Sequence, residues 1–159
     1  MRVLFLCTGN SCRSILAEAI FNALAPLNWK ALSAGSHPTS QVHPRVLALL
    51  AREGISSAGL FSKSWNNLRE APDILITVCG TAAGETCPAY LGPAIRAHWG
   101  VEDPAKASGS DDEIDAVFMN AYRLLRTRIE SFLALPLETL KENEAALKIE
   151  LERISKISV

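Results

Sequence analysis

A chain of 159 residues is long enough for a single domain with a full hydrophobic core. Its residues are 48% hydrophobic and 21% charged, and the net charge of −1 gives no electrostatic case for nucleic acid or an anionic membrane as partner. No apolar run approaches the roughly 20 residues of a transmembrane helix, and the expected compartment is the cytoplasm.

The opening MRVLFLCTGN reads as a strand rather than a secretory leader, because polar residues follow its short apolar run at once. Residues 3–6 form a continuous apolar run, the pattern of a strand buried on both faces. A glycine-containing turn leads to a helix over 11–24, with Ala17, Ile20, Phe21 and Leu24 on one face. A second strand is expected over 29–34, ended by Gly35. HPRVLALLAREG reads as a helix from His43, stopped by Gly54 just past its end. DILITV at 73–78 is a third strand and IRAHW at 95–99 a short fourth. The longest helix covers 110–134, with acidic residues in its first turn and Ile114, Val117, Phe118, Ala121, Leu125 and Phe132 on one face; Pro136 ends it. Residues 137–157 form a further amphipathic stretch, with Leu140, Leu147, Leu151 and Ile154 on one side, free to pack on the domain, pair with another chain or fray.

Strands alternating with helices predict an α/β fold: a three-layer sandwich around a central four-stranded parallel sheet, with an amphipathic C-terminal helical extension. The expected division is a catalytic domain over 1–135 and the extension over 136–159.

Ligands of open α/β sheets bind at the carboxyl ends of strands, and Cys7 sits at such an end. The following Thr8, Gly9, Asn10, Ser11 and Cys12 lead straight into a helix. Successive backbone N–H groups in such a turn can form an anion nest, and the helix N-terminus adds free donors and partial positive charge. Gly9 and Asn10 are residue types that tolerate the positive φ a tight nest requires. A thiolate there, beside an arginine, should have a lowered pKa. Arg13 offers a planar fork for two oxygens of a tetrahedral oxyanion, and Ser14 can donate a hydrogen bond to the sulfur. Cysteine, five residues, arginine, serine therefore describes a thiolate nucleophile facing a bound phosphate-like anion.

The other cysteines need their own reading. Four residues separate Cys7 from Cys12 and seven separate Cys79 from Cys87, neither being the tight spacing of a zinc knuckle. In a cytosolic chain they point to catalysis, metal binding or burial before structural disulfides. Asp103–Pro104 is a common turn dipeptide, but an aspartate on the loop after the fourth strand could also lean over the nest and protonate a departing oxygen. His37, His43 and His98 have no cysteine or carboxylate at ligand spacing and read as structural.

With these residues in place, the sequence resembles the low-molecular-weight protein tyrosine phosphatase superfamily, and within it the thioredoxin-coupled arsenate reductase branch. The resemblance covers about residues 1–135. CTGNSCRS at 7–14 matches that branch's loop, HWGVEDPA at 98–105 its W-G-x-x-D-P segment, and DILITVC followed by CP at 87–88 its redox segment. The Cys79 to Cys87 segment, CGTAAGETCP, is one residue longer than in the best-known members and carries Gly80 and Gly84.

The resemblance implies reduction of arsenate to arsenite by a relay from Cys7 to Cys79 to Cys87, with Arg13 and Ser14 at the loop and Asp103 as general acid. It implies no bound cofactor and an external dithiol or glutathione as reductant, with thioredoxin or glutaredoxin as partner and phosphate or sulfate as competing oxyanions. Cys12 is either structural or a protective disulfide partner of Cys7. A potassium site matching Asn10, Glu18 and Ser33 is implied in weakened form only, because the matching aspartate falls on Ser62. The rival readings are a phosphatase for phosphotyrosine or small phosphoesters, needing only Cys7, Arg13 and Asp103, and a non-catalytic oxyanion sensor.

Overall fold

The computed structural model describes residues 1–79 and 94–159. Four parallel strands, β1 (Arg2–Cys7), β2 (Lys30–Gly35), β3 (Ile74–Cys79) and β4 (Ile95–Val101), form one sheet in the order β2-β1-β3-β4. The helices are α1 (Arg13–Leu24), α2 (Pro44–Arg52), α3 (Asp111–Leu133), α4 (Leu137–Leu140) and α5 (Glu144–Ser155).

The apolar run of β1 divides with the two-residue period of a strand. Val3, Phe5 and Cys7 join the main core with residues of α1, α2, α3 and α5, whereas Leu4 and Leu6 join Ala34 and Leu75 on the opposite face. That second face is covered, among the described residues, by Trp65 and Leu68 at a short 3₁₀ turn, Trp65–Asn67, that the sequence pattern did not reveal. β2 and β3 are the expected strands shifted on by one residue, β1 is longer than expected by one residue at each end, and β4 runs on to Val101. Leu24, expected on the core face of α1, is 37% exposed in the helix's last turn.

The helix ends follow their sequence signals. His43 caps α2 through Nδ1, Pro44 occupies its first position, and Gly54 takes φ +71° just past its end. Ser110 and Glu113 form a reciprocal capping box on α3, where three acidic residues occupy the first turn. The stretch after Pro136 is two helices rather than one, because Asn143 starts a new N-cap onto Ala146 N–H. It packs on the domain: Leu147, Leu151 and Ile154 are buried, and the Trp99 indole N–H donates to Leu151 O at 3.0 Å. Buried Arg128 of α3 fastens the chain end, donating to Gly100 O, Ser155 O and Ile157 O at 3.0–3.2 Å. No helix among the described residues is long and apolar enough to cross a membrane.

This topology positions the site. In the parallel register Cys7 lies opposite Gly35 of β2 and Leu6 opposite Thr77 of β3, so the ends of β1 and β3 come together with Cys7 and Cys79 on adjacent strands.

Candidate active site

The turn after β1 is held by its carbonyls. Cys7 O accepts from Ser36 N–H at 3.3 Å, Thr8 O from His37 N–H at 2.9 Å, Gly9 O from Thr39 N–H at 3.0 Å, and Ser11 O from His43 N–H at 3.1 Å. All four donors lie on the β2–α2 connection. A trans peptide points its C=O and N–H in opposite directions, so tying the carbonyls outward turns the N–H groups of the turn inward. Asn10 N–H shows this directly, donating to Cys7 Sγ at 3.2 Å.

The tightness has two local sources. Asn10 takes φ 47°, in the left-handed region that asparagine tolerates. Gly35 passes beside the turn so closely that a Cβ there would lie 2.5 Å from Thr8 O and 3.0 Å from Asn10 N.

Cys7 is buried at the floor of a cavity of about 250 Å³. Cys12 and Arg13 join it from the loop, and Thr39, His43, Asp103 and Ala105 also line it. No Phe, Tyr or Trp lines this cavity among the described residues. Arg13 is fixed at its base: Nη1 donates to Val101 O at 3.0 Å, and Nη2 lies 3.6 Å from Asp103 Oδ2. Asp103 caps its own turn, Oδ1 accepting from Ala105 N–H at 3.0 Å, which leaves Oδ2 toward the arginine and the cavity.

The Cys7 thiol is lowered from 9.0 to about 6. The largest cause is a hydrogen bond from Cys79; Ser14 and Asn10 add to it, and burial opposes it. Ser14 Oγ lies 2.8 Å from Cys7 Sγ and accepts from Asn10 Nδ2 at 2.8 Å, so its own proton is directed at the sulfur. Sequence reasoning expected a lowered pKa but placed its cause in Arg13 and the helix N-terminus. The hydrogen bond from the neighbouring thiol on β3 is a cause it did not name.

Cys79 is itself held as a thiol, its pKa pushed well up by that hydrogen bond to Cys7 and by burial. Its sulfur lies 3.7 Å from Thr8 Oγ1 and 3.9 Å from Leu6 O. Cys12 lines the cavity but is buried, and desolvation raises it to about 12. Cys87 lies outside the described residues. Labelling with iodoacetamide should therefore modify Cys7 at half its plateau rate near pH 6. The depressed pKa means thiolate, and so labelling, persists at all higher pH and is lost as pH falls below that point. Cys12 should stay unlabelled at neutral pH. Mass spectrometry of the adducts across a pH series checks both outcomes, and a Cys7 midpoint near 9 contradicts the geometry.

Two side chains of the site escaped sequence reasoning. His43 was read as structural. It does cap α2 and stacks on Phe118 with centroids 4.9 Å apart, but it also lines the cavity. Its Nδ1 accepts from Arg45 N–H at 3.1 Å, so the neutral ring carries its proton on Nε2. Burial, then Arg45, lowers its pKa, with Asp103 opposing, which keeps it neutral at physiological pH.

The second is Lys63. Asn10, Glu18 and Ser33 do come together: Asn10 Nδ2 donates to Ser33 Oγ at 3.0 Å, and Ser33 Oγ donates to Glu18 Oε1 at 2.6 Å. Ser62, which stands where the potassium-binding relatives carry an aspartate, donates to Gly9 O at 3.2 Å. The charge that reaches Glu18 is the Lys63 ammonium, 3.5 Å from Oε1. This set does not suit a bound cation, since an ammonium already stands beside its carboxylate. His37 and His98 lie away from the cavity lining, with His98 Nδ1 2.6 Å from Thr77 Oγ1 on the exposed edge of the sheet.

Comparison with known proteins agrees with this geometry. Residues 2–146 match the family model of the low molecular weight phosphotyrosine protein phosphatase. The arsenate reductase of Halalkalibacterium halodurans is 37% identical over 131 residues, spanning 82% of this chain and 93% of that protein. A solved arsenate reductase in its phosphate-binding state superposes with a TM-score of 0.71 at 29% identity, covering 84% of this chain and 96% of the other. A thioredoxin-dependent arsenate reductase of Corynebacterium glutamicum superposes with a TM-score of 0.56 at 30% identity, covering 81% and 61% of the two chains.

Proposed function

We propose that this chain, which belongs to the low molecular weight phosphotyrosine protein phosphatase family, is an arsenate reductase that uses Cys7 as its nucleophile. The observation that carries this reading is Cys79, a second buried thiol at the end of the strand that pairs with the one carrying Cys7, its sulfur 3.7 Å from Thr8 Oγ1 of the anion loop. A phosphatase has no use for it. A reductase needs a second thiol within reach of the first.

Arsenate takes the place of phosphate in the nest, its oxygens held by the inward N–H groups and the Arg13 fork. The Cys7 thiolate attacks arsenic, and Asp103 gives a proton to the departing oxygen, which leaves as water once fully protonated. Cys79 then loses its proton and attacks Cys7 Sγ. The S–S bond forms as the S–As bond breaks, and its electron pair reduces As(V) to As(III), released as arsenite. Cys87 attacks Cys79, Cys7 departs as thiolate, and the disulfide passes to Cys79–Cys87. Two thiols have supplied two electrons, so the chain needs an external dithiol and no resident metal, flavin or nicotinamide for this cycle. Thioredoxin suits the Cys79–Cys87 pair, and the resemblance of that segment to thioredoxin-linked relatives favours it over glutathione with glutaredoxin. Such thiol donors belong to the cytoplasm, and the proposed cycle is placed there with them.

Steady-state arsenate reduction by the pure protein tests the reading, with thioredoxin, thioredoxin reductase and NADPH in one assay and glutathione with glutaredoxin in another. Turnover that Cys79→Ser removes establishes the reductase. No turnover with either donor, together with hydrolysis of an aryl phosphate, supports the phosphatase instead. Cys87→Ser should block the thioredoxin-coupled cycle while leaving glutathione-coupled turnover largely intact. Equal loss with both donors contradicts the division of labour between Cys79 and Cys87.

A further inference from the structure

Glu18 is a carboxylate on α1 that is only 6% exposed and points beneath the anion loop. A charge so buried requires a partner. Its Oε1 receives the Ser33 hydroxyl at 2.6 Å and stands 3.5 Å from the Lys63 ammonium, whose own side chain is 11% exposed. Lys63 Nζ also donates to Phe61 O at 3.3 Å and lies 4.5 Å from the centre of the Phe61 ring. Carbonyl, ring face and carboxylate together hold the ammonium at this position.

The consequence for the loop comes through Asn10. Lys63 N–H donates to Asn10 Oδ1 at 2.8 Å, which fixes which end of the amide is the oxygen. The Asn10 NH₂ group then serves two hydroxyls, Ser33 Oγ at 3.0 Å and Ser14 Oγ at 2.8 Å. Each hydroxyl passes its own proton on to an anion: Ser33 to Glu18, Ser14 to Cys7. The Glu18 carboxylate sets this direction, since it accepts from Ser33, and the Lys63 ammonium is the charge that stands beside it.

We propose that Lys63 is a positioning residue for the Cys7 nucleophile: its ammonium is a tethered cation that does at Glu18 what a dissolved monovalent ion could do, and thereby holds Asn10 and Ser14 on the sulfur. The reaction that Cys7 carries out rests on the function proposed above, but the positioning does not, since it acts on the free enzyme. Two properties follow. The enzyme is indifferent to the identity of the monovalent salt, because the cation is part of the chain. Removing the ammonium uncovers a site of complementary charge that a dissolved cation can occupy.

The test is the rate of iodoacetamide labelling of Cys7 at fixed neutral pH, with the adduct assigned by mass spectrometry. It is run in potassium, sodium and methylammonium chloride at equal ionic strength, alongside arsenate turnover. The wild-type protein should label at the same rate in all three salts. Lys63→Ala should label about 2- to 10-fold more slowly in sodium, the weight of roughly one hydrogen bond on the thiolate. Potassium or methylammonium should restore much of that loss. Lys63→Arg, which keeps the charge, should label like wild type. Where Lys63→Ala does not fold, Lys63→Gln supplies the same comparison with a neutral donor in place. A wild-type enzyme that potassium accelerates overturns the proposal. So does a neutral variant that labels at the wild-type rate, or one whose loss no cation restores. Because labelling needs no arsenate, a protein that fails to reduce arsenate but shows cation rescue separates failure of the reaction assignment from failure of this one.

Discussion

Cys79→Ala should abolish arsenate turnover, by at least about 10³-fold, and at the same time move the pH midpoint of Cys7 labelling upward from about 6 toward 9.0. The two effects have different origins in one sulfur. Turnover fails because no second thiol remains to take the disulfide from Cys7, and without that step arsenic keeps its oxidation state. The midpoint moves because the hydrogen bond from Cys79 is the largest influence that favours the Cys7 thiolate over burial. Cys79→Ser separates them. A hydroxyl at that position can still donate to the thiolate, so the midpoint should remain near that of the wild type, while turnover is lost as completely as in the alanine variant. The first chemical step should survive in the serine variant: Cys7 can still form and release its arsenic adduct, read as exchange of ¹⁸O between arsenate and water. Aryl phosphate hydrolysis, where present, should persist for the same reason. A Cys79→Ala protein that turns over arsenate would remove Cys79 from the relay.

The part of this site legible in the sequence is the part that is contiguous. Cys7, Arg13 and Ser14 lie within one strand–turn–helix, and local rules for strand ends, tight turns and helix N-termini constrain where they go. Cys79 was legible at one remove. Parallel strands whose ends are aligned bring their last residues together, and the register of β1 with β3 does this for Cys7 and Cys79. Asp103 followed the same logic from the end of β4. What local pattern could not supply is the support behind the loop. The Lys63 to Glu18 contact joins residues 45 positions apart, and Lys63 sits in an irregular segment that has neither a helical nor a strand period. A lysine between two serines reads as a solvated surface residue, and only the burial of its carboxylate partner shows otherwise. His43 escaped for a related reason. Its capping role is legible from the Pro44 that follows, but its place on the cavity wall depends on the connection after β2 folding back to tie down the carbonyls of the loop. The hydrogen bond from Cys79 to Cys7 was not legible, because sequence spacing shows charges and dipoles near a thiol more readily than a neighbouring donor from another strand. The role of Cys87 rests on sequence alone.

Asp103→Asn should lower kcat for arsenate reduction by about 10² to 10⁴-fold while tightening the binding of phosphate or sulfate as competing anions. The amide fits the same space, and its Oδ1 can still accept from Ala105 N–H, so the turn after β4 keeps its cap. What it cannot do is give up a proton to the oxygen that Cys7 displaces, and an oxide is a far poorer leaving group than water. The gain in anion affinity has a separate cause. Asp103 Oδ2 lies 3.6 Å from Arg13 Nη2, and its negative charge both competes with a bound oxyanion for that guanidinium and repels it. Neutralising the side chain frees the arginine for the ligand. Opposite movements of binding and catalysis are the signature of a group that acts on the leaving oxygen, and an aspartate serving only as a turn cap would show neither. The alanine variant completes the comparison: it loses the proton donor and the cap together, so its kcat should fall at least as far as that of the asparagine variant, and its thermal stability should fall where the asparagine variant's does not. Near-wild-type turnover in Asp103→Asn would assign the proton to another donor on the cavity wall, and His43, whose neutral ring carries its proton on Nε2, is the side chain placed to supply it.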